Sequence, residues 1–139
     1  MQASPYLFFD GNCEEAFRFY AGLLGGKVEM IGRFRDSPMK EQMAEDWLDK
    51  VMHIQMRVGE LVIMGCDAPP GHYEAARGFY ISLNTETPEQ ADAIFPALCN
   101  GGEIRMPIQD TFFARRFGMA VDRFGVPWMV NCPLPPKTK

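Results

Sequence analysis

An α+β fold built from two βαβββ copies is predicted for this 139-residue chain, and three observations carry the prediction. Residues 14–30 (EEAFRFYAGLLGGKVEM) and 90–106 (QADAIFPALCNGGEIRM) fall into register when Gly25 is laid over Gly101. Phe19 then lies over Phe95, Ala21 over Ala97, Val28 over Ile104 and Met30 over Met106. Each copy reads as a helix, a Gly-Gly stop and a strand, and the flanking stretches alternate with the period of two of a half-buried strand. A repeat of this size marks one supersecondary unit used twice, with the core and any cavity expected between the copies.

The elements follow in order. Tyr6 to Phe9 is a short apolar strand that ends at Asp10-Gly11. Asn12 is placed to cap a helix, with Glu15 completing a capping-box pattern, and Ala16, Phe17, Tyr20, Leu23 and Leu24 recur at helical spacing. Gly25 stops that helix, and residues 27–35 read as an irregular strand. Met39, Met43 and Trp47 sit four apart, which predicts a short amphipathic helix packed on the sheet or a flap over a cavity. Residues 51–58 alternate cleanly, Gly59-Glu60 turns the chain, and residues 61–65 form the partner strand.

The segment DAPPGHYEAA (67–76) separates a first module, 1–68, from a second, 77–132. A strand is expected over 78–83. Thr87 caps the next helix, Pro88 occupies its first turn and Gln90 closes the box. Pro96 predicts a kink or an early stop. Residues 104–108, 114–121 and 126–132 supply three strands, with residues 122–125 as a turn and residues 133–139 as a flexible tail.

Composition narrows the function. Hydrophobic residues make up 47% of the chain, enough for a sizeable core, and the net charge is −4. An acidic chain argues against nucleic acid or an anionic membrane as the partner. No stretch reaches the ~20 apolar residues of a membrane span, and the start lacks a signal-peptide pattern, so a cytoplasmic location is expected. The four cysteines are widely spaced, without a CxxC pair, and read as buried small apolar residues or spectators.

The segment DTFFARRFGMAVDRFGVPWMVN (110–131), together with YLFFDGNCEEAFRFYAGLLGGKV (6–28), resembles the PhnB-like branch of the glyoxalase/bleomycin-resistance/dioxygenase superfamily, the vicinal oxygen chelate fold. The resemblance spans nearly the whole chain. It implies a mixed sheet curved around a cavity, each module forming half of a cup, and usually a homodimer. Such proteins often carry the label 3-demethylubiquinone methyltransferase-like. A conventional methyl-donor site needs a glycine-rich turn that opens a helix, whereas the glycine pairs here close helices.

Metal-using relatives place four His, Gln or Glu ligands on the first and last strands of the modules. Aligned by the helix after strand one, these positions fall on Pro5 and near Met64, Tyr80 and Met129. A slip of one residue brings in neither imidazole nor carboxylate. Thioethers are soft ligands, unsuited to Mg²⁺, Ni²⁺ or Fe²⁺. No metal site and no cofactor are therefore expected.

The remaining candidates are polar handles in an apolar cup. His53, beside Gln55 and Arg57 on the less apolar face of its strand, reads either as a general base or as a solvated strand histidine. His72 lies in the Pro/Gly loop and reads as exposed. Arg115 and Arg116 point to opposite faces of one strand, so one enters the cavity to pair with an anion, or both are surface charges. Asp110 and Asp122 read as turn residues. Tyr80, with Met64, Met129 and Asn131, completes the expected lining.

Three functional readings stay open. The leading one is a metal-independent small-molecule-binding protein of the bleomycin-resistance kind. The second is a lyase, isomerase or transferase with His53 as base and Tyr80 as donor. The third recruits a metal through His53 with His72 or Glu60.

Overall fold

The computed structural model describes residues 1–135, and the chain divides into two compact units, Met1–Ala75 and Ala76–Lys139. The first unit runs β1 (Tyr6–Phe9), α1 (Cys13–Leu24), β2 (Lys27–Arg33), β3 (Val51–Val58) and β4 (Leu61–Asp67). Its sheet has the order β1-β4-β3-β2, with β1 parallel to β4 and the other pairs antiparallel. The second unit runs β5 (Ile81–Asn84), α2 (Pro88–Cys99), β6 (Glu103–Gln109), β7 (Ala114–Val121) and β8 (Pro127–Pro133). Its order, β5-β8-β7-β6, repeats the first, again with the outer first strand parallel to the last. The α+β class and the doubled βαβββ order are thus as the sequence predicts.

One face of each sheet is covered by its helix. In the first unit Cys13, Ala16, Phe17 and Tyr20 of α1 are fully buried, as are Phe9, Ile54, Met56 and Ile63 of the sheet. Removing a large apolar side chain of this kind from water contributes about 1.5–3 kcal/mol. Phe17 stands edge-on to Phe9, ring centroids 5.9 Å apart. Gly65 makes room for it, because a Cβ there would lie 2.8 Å from the Phe17 ring and 2.7 Å from the Leu7 carbonyl oxygen. In the second unit Ala91, Phe95 and Leu98 are buried, as are Ala120, Trp128 and Val130 of the sheet, and Gly118 leaves space for Phe95.

The helix starts differ. Thr87 caps α2, its hydroxyl accepting the Gln90 N–H at 3.1 Å, while Gln90 Oε1 accepts the Glu86 N–H at 3.1 Å. Asn12 makes no side-chain cap bond. Instead Asp67, at the end of β4, accepts the N–H groups of Gly11 (3.0 Å) and Cys13 (2.9 Å) on one oxygen and that of Val51 (2.9 Å) on the other. The capping box expected at Asn12 and Glu15 is therefore replaced by a long-range carboxylate. Both glycine pairs end helices, with Gly25 at φ 70° and Gly101 at φ 78°, a region that penalises any Cβ.

Four further expectations are corrected. Met39, Met43 and Trp47 do not share a helix; residues 34–47 form three short 3₁₀ turns. The Ser37 hydroxyl binds the Phe34 carbonyl and the Met39 N–H, and Phe34 and Arg35 bond back to Lys50 and Leu48, so the segment closes as a loop. Pro96 neither stops α2 nor shortens it. It is exposed and lacks only one N–H, while buried Phe95 and Leu98 on either side hold the helix together. Strand β5 begins at Ile81 instead of Gly78, and β8 includes Pro133, where the tail was expected to start. Residues 136–139 lie outside the described residues.

The repeat also needs a finer register. The slide that matches the glycine stops sets Phe19 over Phe95, yet Phe19 is only half-buried. Cys13, Phe17 and Tyr20 correspond to Ala91, Phe95 and Leu98 as the buried stripe, so the glycine stop after α1 lies two residues further past the last buried helix residue than the stop after α2.

Candidate functional site

Because side chains alternate along a strand, the residues turned away from α1 make a second, open face on the first sheet. Tyr6 and Phe8 of β1 are 39% and 56% exposed, whereas Leu7 and Phe9 between and beside them are buried. Register places Met64 beside Tyr6 and opposite Gln55, and Val62 opposite Arg57. The open face thus carries Tyr6, Val62, Met64 and Cys66 with His53, Gln55 and Arg57. A hollow of about 540 Å³ lies on it, lined by Gln2, Ala3, Ser4, Gln55, Arg57, Val62 and Met64.

Two polar arrangements stand on this face. The Tyr6 hydroxyl lies 3.1 Å from His53 Nδ1, with the rings 5.6 Å apart. Burial, followed by the neighbouring Cys66, pushes the Tyr6 phenol well above its ordinary value, so the phenol keeps its proton at neutral pH. A neutral imidazole that accepts this proton at Nδ1 carries its own on Nε2. The Cys66 thiol is also raised, chiefly by burial, which keeps it from acting as a thiolate nucleophile.

The second arrangement surrounds Glu29. Gln55 Nε2 donates to one carboxylate oxygen at 3.1 Å and Arg57 Nε to the other at 3.2 Å. These bonds, Gln55 first, hold the Glu29 carboxyl below its usual range.

The second sheet has an open face of its own. Trp128 and Val130 are fully buried toward α2, so Met129 and Asn131 point the other way, registered beside Ser82 and Asn84 and opposite Met119 and Phe117. Asn131 Nδ2 donates to Asn84 Oδ1 at 3.1 Å. Tyr80 precedes β5 on the same alternation, and Arg105 Nη1 donates to its hydroxyl at 3.0 Å. Tyr80 and Arg105 come from opposite edges of the sheet, so their contact bridges across this face.

The other predicted residues fall as follows. His53 and Met64 share the first open face, while Tyr80, Met129 and Asn131 share the second. Arg116 lies on the helix side, where it pairs with Asp92 of α2 at 2.7 Å and with Asp110 at 3.1 Å. Arg115 donates to the main-chain carbonyls of Pro133 (2.9 Å) and Glu86 (3.0 Å) at the strand ends. His72 is exposed in its loop and borders a separate hollow of about 240 Å³ with Phe8 and Glu74. Asp122 is a turn residue, as expected, and more: it accepts the N–H groups of Phe124 and Val126 and the Trp128 indole N–H at 2.8 Å.

Sequence reasoning missed Tyr6, Glu29 and Arg105. Tyr6 was signalled by its alternation with Leu7 and Phe9. Glu29 was hidden because β2 shifts register between Val28 and Met30, which defeats a period-two reading.

The donor set does not fit the divalent metal that the family resemblance implies. The Pro5 carbonyl accepts the Met64 N–H, Met64 and Met129 offer thioethers, and the Tyr80 hydroxyl is bound by Arg105. Among the described residues no group of three or more His, Cys, Asp or Glu is placed to hold a metal ion. All four cysteines are free. No helix among the described residues is long and apolar enough to cross a membrane.

Two mixed four-stranded sheets, each with one helix and one open face, give a fold like that of the glyoxalase/bleomycin-resistance superfamily, and solved structures agree. A domain of that superfamily from Frankia sp. EAN1pec shares the fold at a TM-score of 0.66 with 15% identity, covering 96% of this chain and 98% of its own. Protein PA1353 from Pseudomonas aeruginosa is 46% identical, covers 96% of this chain and 98% of its own, and superposes with a TM-score of 0.87. The PhnB protein from Bacillus cereus superposes at 0.81 with 24% identity over 95% of this chain and 99% of its own. Protein YjdN from Escherichia coli (strain K12) is 34% identical over 94% of this chain and 95% of its own. The profile of the 3-demethylubiquinone-9 3-methyltransferase family matches residues 1–131, and the chain belongs to this PhnB-like family.

Proposed function

We propose that this chain is a metal-independent small-molecule-binding protein whose ligand lies in the hollow on the open face of the first sheet. The observation that carries the reading is the hollow of about 540 Å³, with Val62 and Met64 as an apolar floor and Ser4, Gln55 and Arg57 as polar groups. Its lining pairs this apolar floor with convergent polar and charged groups, Gln2 among them, as a site for a small polar or charged ligand requires, and a methionine in the floor adapts to varied ligand shapes. Methyl transfer, which the family's description names, finds no support in the glycine pairs, since both close helices.

The neutral fluorophore N-phenyl-1-naphthylamine tests this. Its fluorescence should rise on binding, should persist after exhaustive dialysis against EDTA, and should fall at least tenfold in affinity in Met64→Arg, which fills the floor. Binding that disappears with EDTA and returns with a divalent metal would sink the metal-independent reading.

The contact between the Tyr6 hydroxyl and His53 Nδ1 favours a second reading, acid–base catalysis on a small metabolite. Here Tyr6, rather than Tyr80, is the hydroxyl partner of His53. A ligand whose mass changes on incubation with the wild-type protein, but not with His53→Ala, selects this reading. A homodimer in the cytoplasm belongs to the same proposal; Phe112 and Phe113, 94% and 48% exposed, support association, and a monomeric mass in sedimentation equilibrium would remove it.

A further inference from the structure

The β2 strand carries one extra residue where its register with β3 shifts, between Val28 and Met30. Glu29 is that residue. A bulge re-aims a side chain and breaks strict alternation, and here it brings Glu29 onto the face that holds Gln55 and Arg57. Those two donors stand two residues apart on β3, and each takes a different oxygen of the same carboxylate, at 3.1 and 3.2 Å. The pair is therefore already spaced to grip a carboxylate, with one donor for each oxygen and the guanidinium bond charge-assisted.

Gln55 and Arg57 also line the hollow of about 540 Å³, beside the apolar Val62 and Met64. The carboxylate they hold comes from an exposed side chain on the neighbouring strand. Arg57 and Glu29 keep 44% and 35% of their side-chain surface open to solvent, so neither is locked in place by packing. Exposed ion pairs of this kind are weak, because solvent screens the charges and holding two long side chains together costs conformational entropy. A ligand anion that also buries an apolar body on Val62 and Met64 has more to gain than Glu29 does.

We propose that Gln55 and Arg57 form a carboxylate clamp for a small ligand with one carboxylate and an apolar body, and that Glu29 is its built-in occupant, displaced when the ligand enters. The proposal rests on the hollow being a ligand site and adds the chemical class of what it takes. Glu29 acts as a competitor that sets the affinity threshold, since its charge repels the incoming anion for as long as it remains nearby.

The test uses 2-naphthoate and its uncharged isostere 2-naphthamide with the full chain, read by probe fluorescence and by the chemical shift of the Met64 methyl group. Naphthoate should bind at least ~10-fold more tightly than naphthamide. Glu29→Gln should strengthen naphthoate binding about 5- to 10-fold and leave naphthamide unchanged. Arg57→Met should bring naphthoate down to the wild-type naphthamide level, with the methyl shifts of the fully buried Ile54 and Ile63 reporting that the sheet is intact. Equal affinity for the two probes would overturn the clamp and leave the hollow standing. Weaker naphthoate binding in Glu29→Gln would also overturn it, since Glu29 would then be a partner and not an occupant. If neither probe moves the Met64 signal, the clamp and the hollow fall together.

Discussion

The two units start their helices by opposite means. In the second, Thr87 caps α2 from the residue next to it in sequence, and the buried carboxylate of Asp122 serves Phe124, Val126 and Trp128 of its own turn and strand. In the first, Asn12 stands in the cap position without a cap bond. Asp67 reaches over from the end of β4 and takes two N–H groups at the start of α1 and one at the start of β3. A single side chain thus ties together a helix, an inner strand and the strand that forms the floor of the hollow. The same βαβββ frame can be secured locally or through tertiary contact, and the second way couples the helix to the site.

Substitutions at Asp67 should produce the largest effect. Asp67→Ala strips three N–H groups of their acceptor, two of them buried and each of those worth about 1–3 kcal/mol when left unpaired, so a loss of ~3–5 kcal/mol is expected in denaturant unfolding. Hydrogen exchange should rise across α1 and β3 while α2 stays protected. Equal loosening of α2 would break the contrast drawn between the units.

Glycine comes next. Gly65→Ala would set a methyl 2.7 Å from the Leu7 carbonyl oxygen as well as against the Phe17 ring, while for Gly118→Ala the three nearest atoms all belong to the Phe95 ring. A backbone oxygen in a parallel ladder cannot move as a ring can. The first substitution should cost about 2–3 kcal/mol and the second about 1 kcal/mol, compared by thermal unfolding. The reverse order would show that α2 is held more rigidly than α1.

Cap substitutions sharpen the comparison at smaller scale. Thr87→Ala should cost about 1 kcal/mol, whereas Asn12→Ala should leave chemical denaturation unchanged, because no bond is lost. A measurable cost at Asn12 would mean that Asp67 is not the main holder of α1.

The smallest expected effect is electrostatic. Arg33 forks onto Glu14 at 2.9 and 3.1 Å, and its hydrogen bonds, ahead of all other influences, hold the Glu14 carboxyl below its ordinary 4.5. A lowered carboxyl contributes stability that is present above 4.5 and is lost as the pH falls through the lowered value. Glu14 keeps 37% of its side-chain surface open, so solvent screening limits the contribution to about 0.5 kcal/mol. Glu14→Gln should remove that part of the acid slope in stability measured against pH, and an unchanged slope would assign the acid response elsewhere.

Much of the frame was legible because its causes are short-range. The alternation of residues 51–58, the Thr87-Pro88 start and the glycine stops each depend on neighbours a few positions away. Met39, Met43 and Trp47 misled for the same reason: their spacing is helical, but Ser37 and the bonds from Phe34 and Arg35 to Lys50 and Leu48 close that segment as a loop. The site was legible only in part. Gln55 and Arg57 stood beside His53 in the pattern, yet their shared partner Glu29 lies behind a bulge that no periodicity announces.

Taken alone, the residues determined the doubled βαβββ order and which strand faces are apolar. Those properties follow from the local spacing and chemistry of side chains. Only the tertiary structure decided that Asp67 holds α1, that Tyr6 meets His53, that Arg116 braces α2, and that Gln55 and Arg57 close on Glu29. Each of these joins groups on different strands, and pairing register and a bulge set their meeting, so it appears only when the sheets have formed.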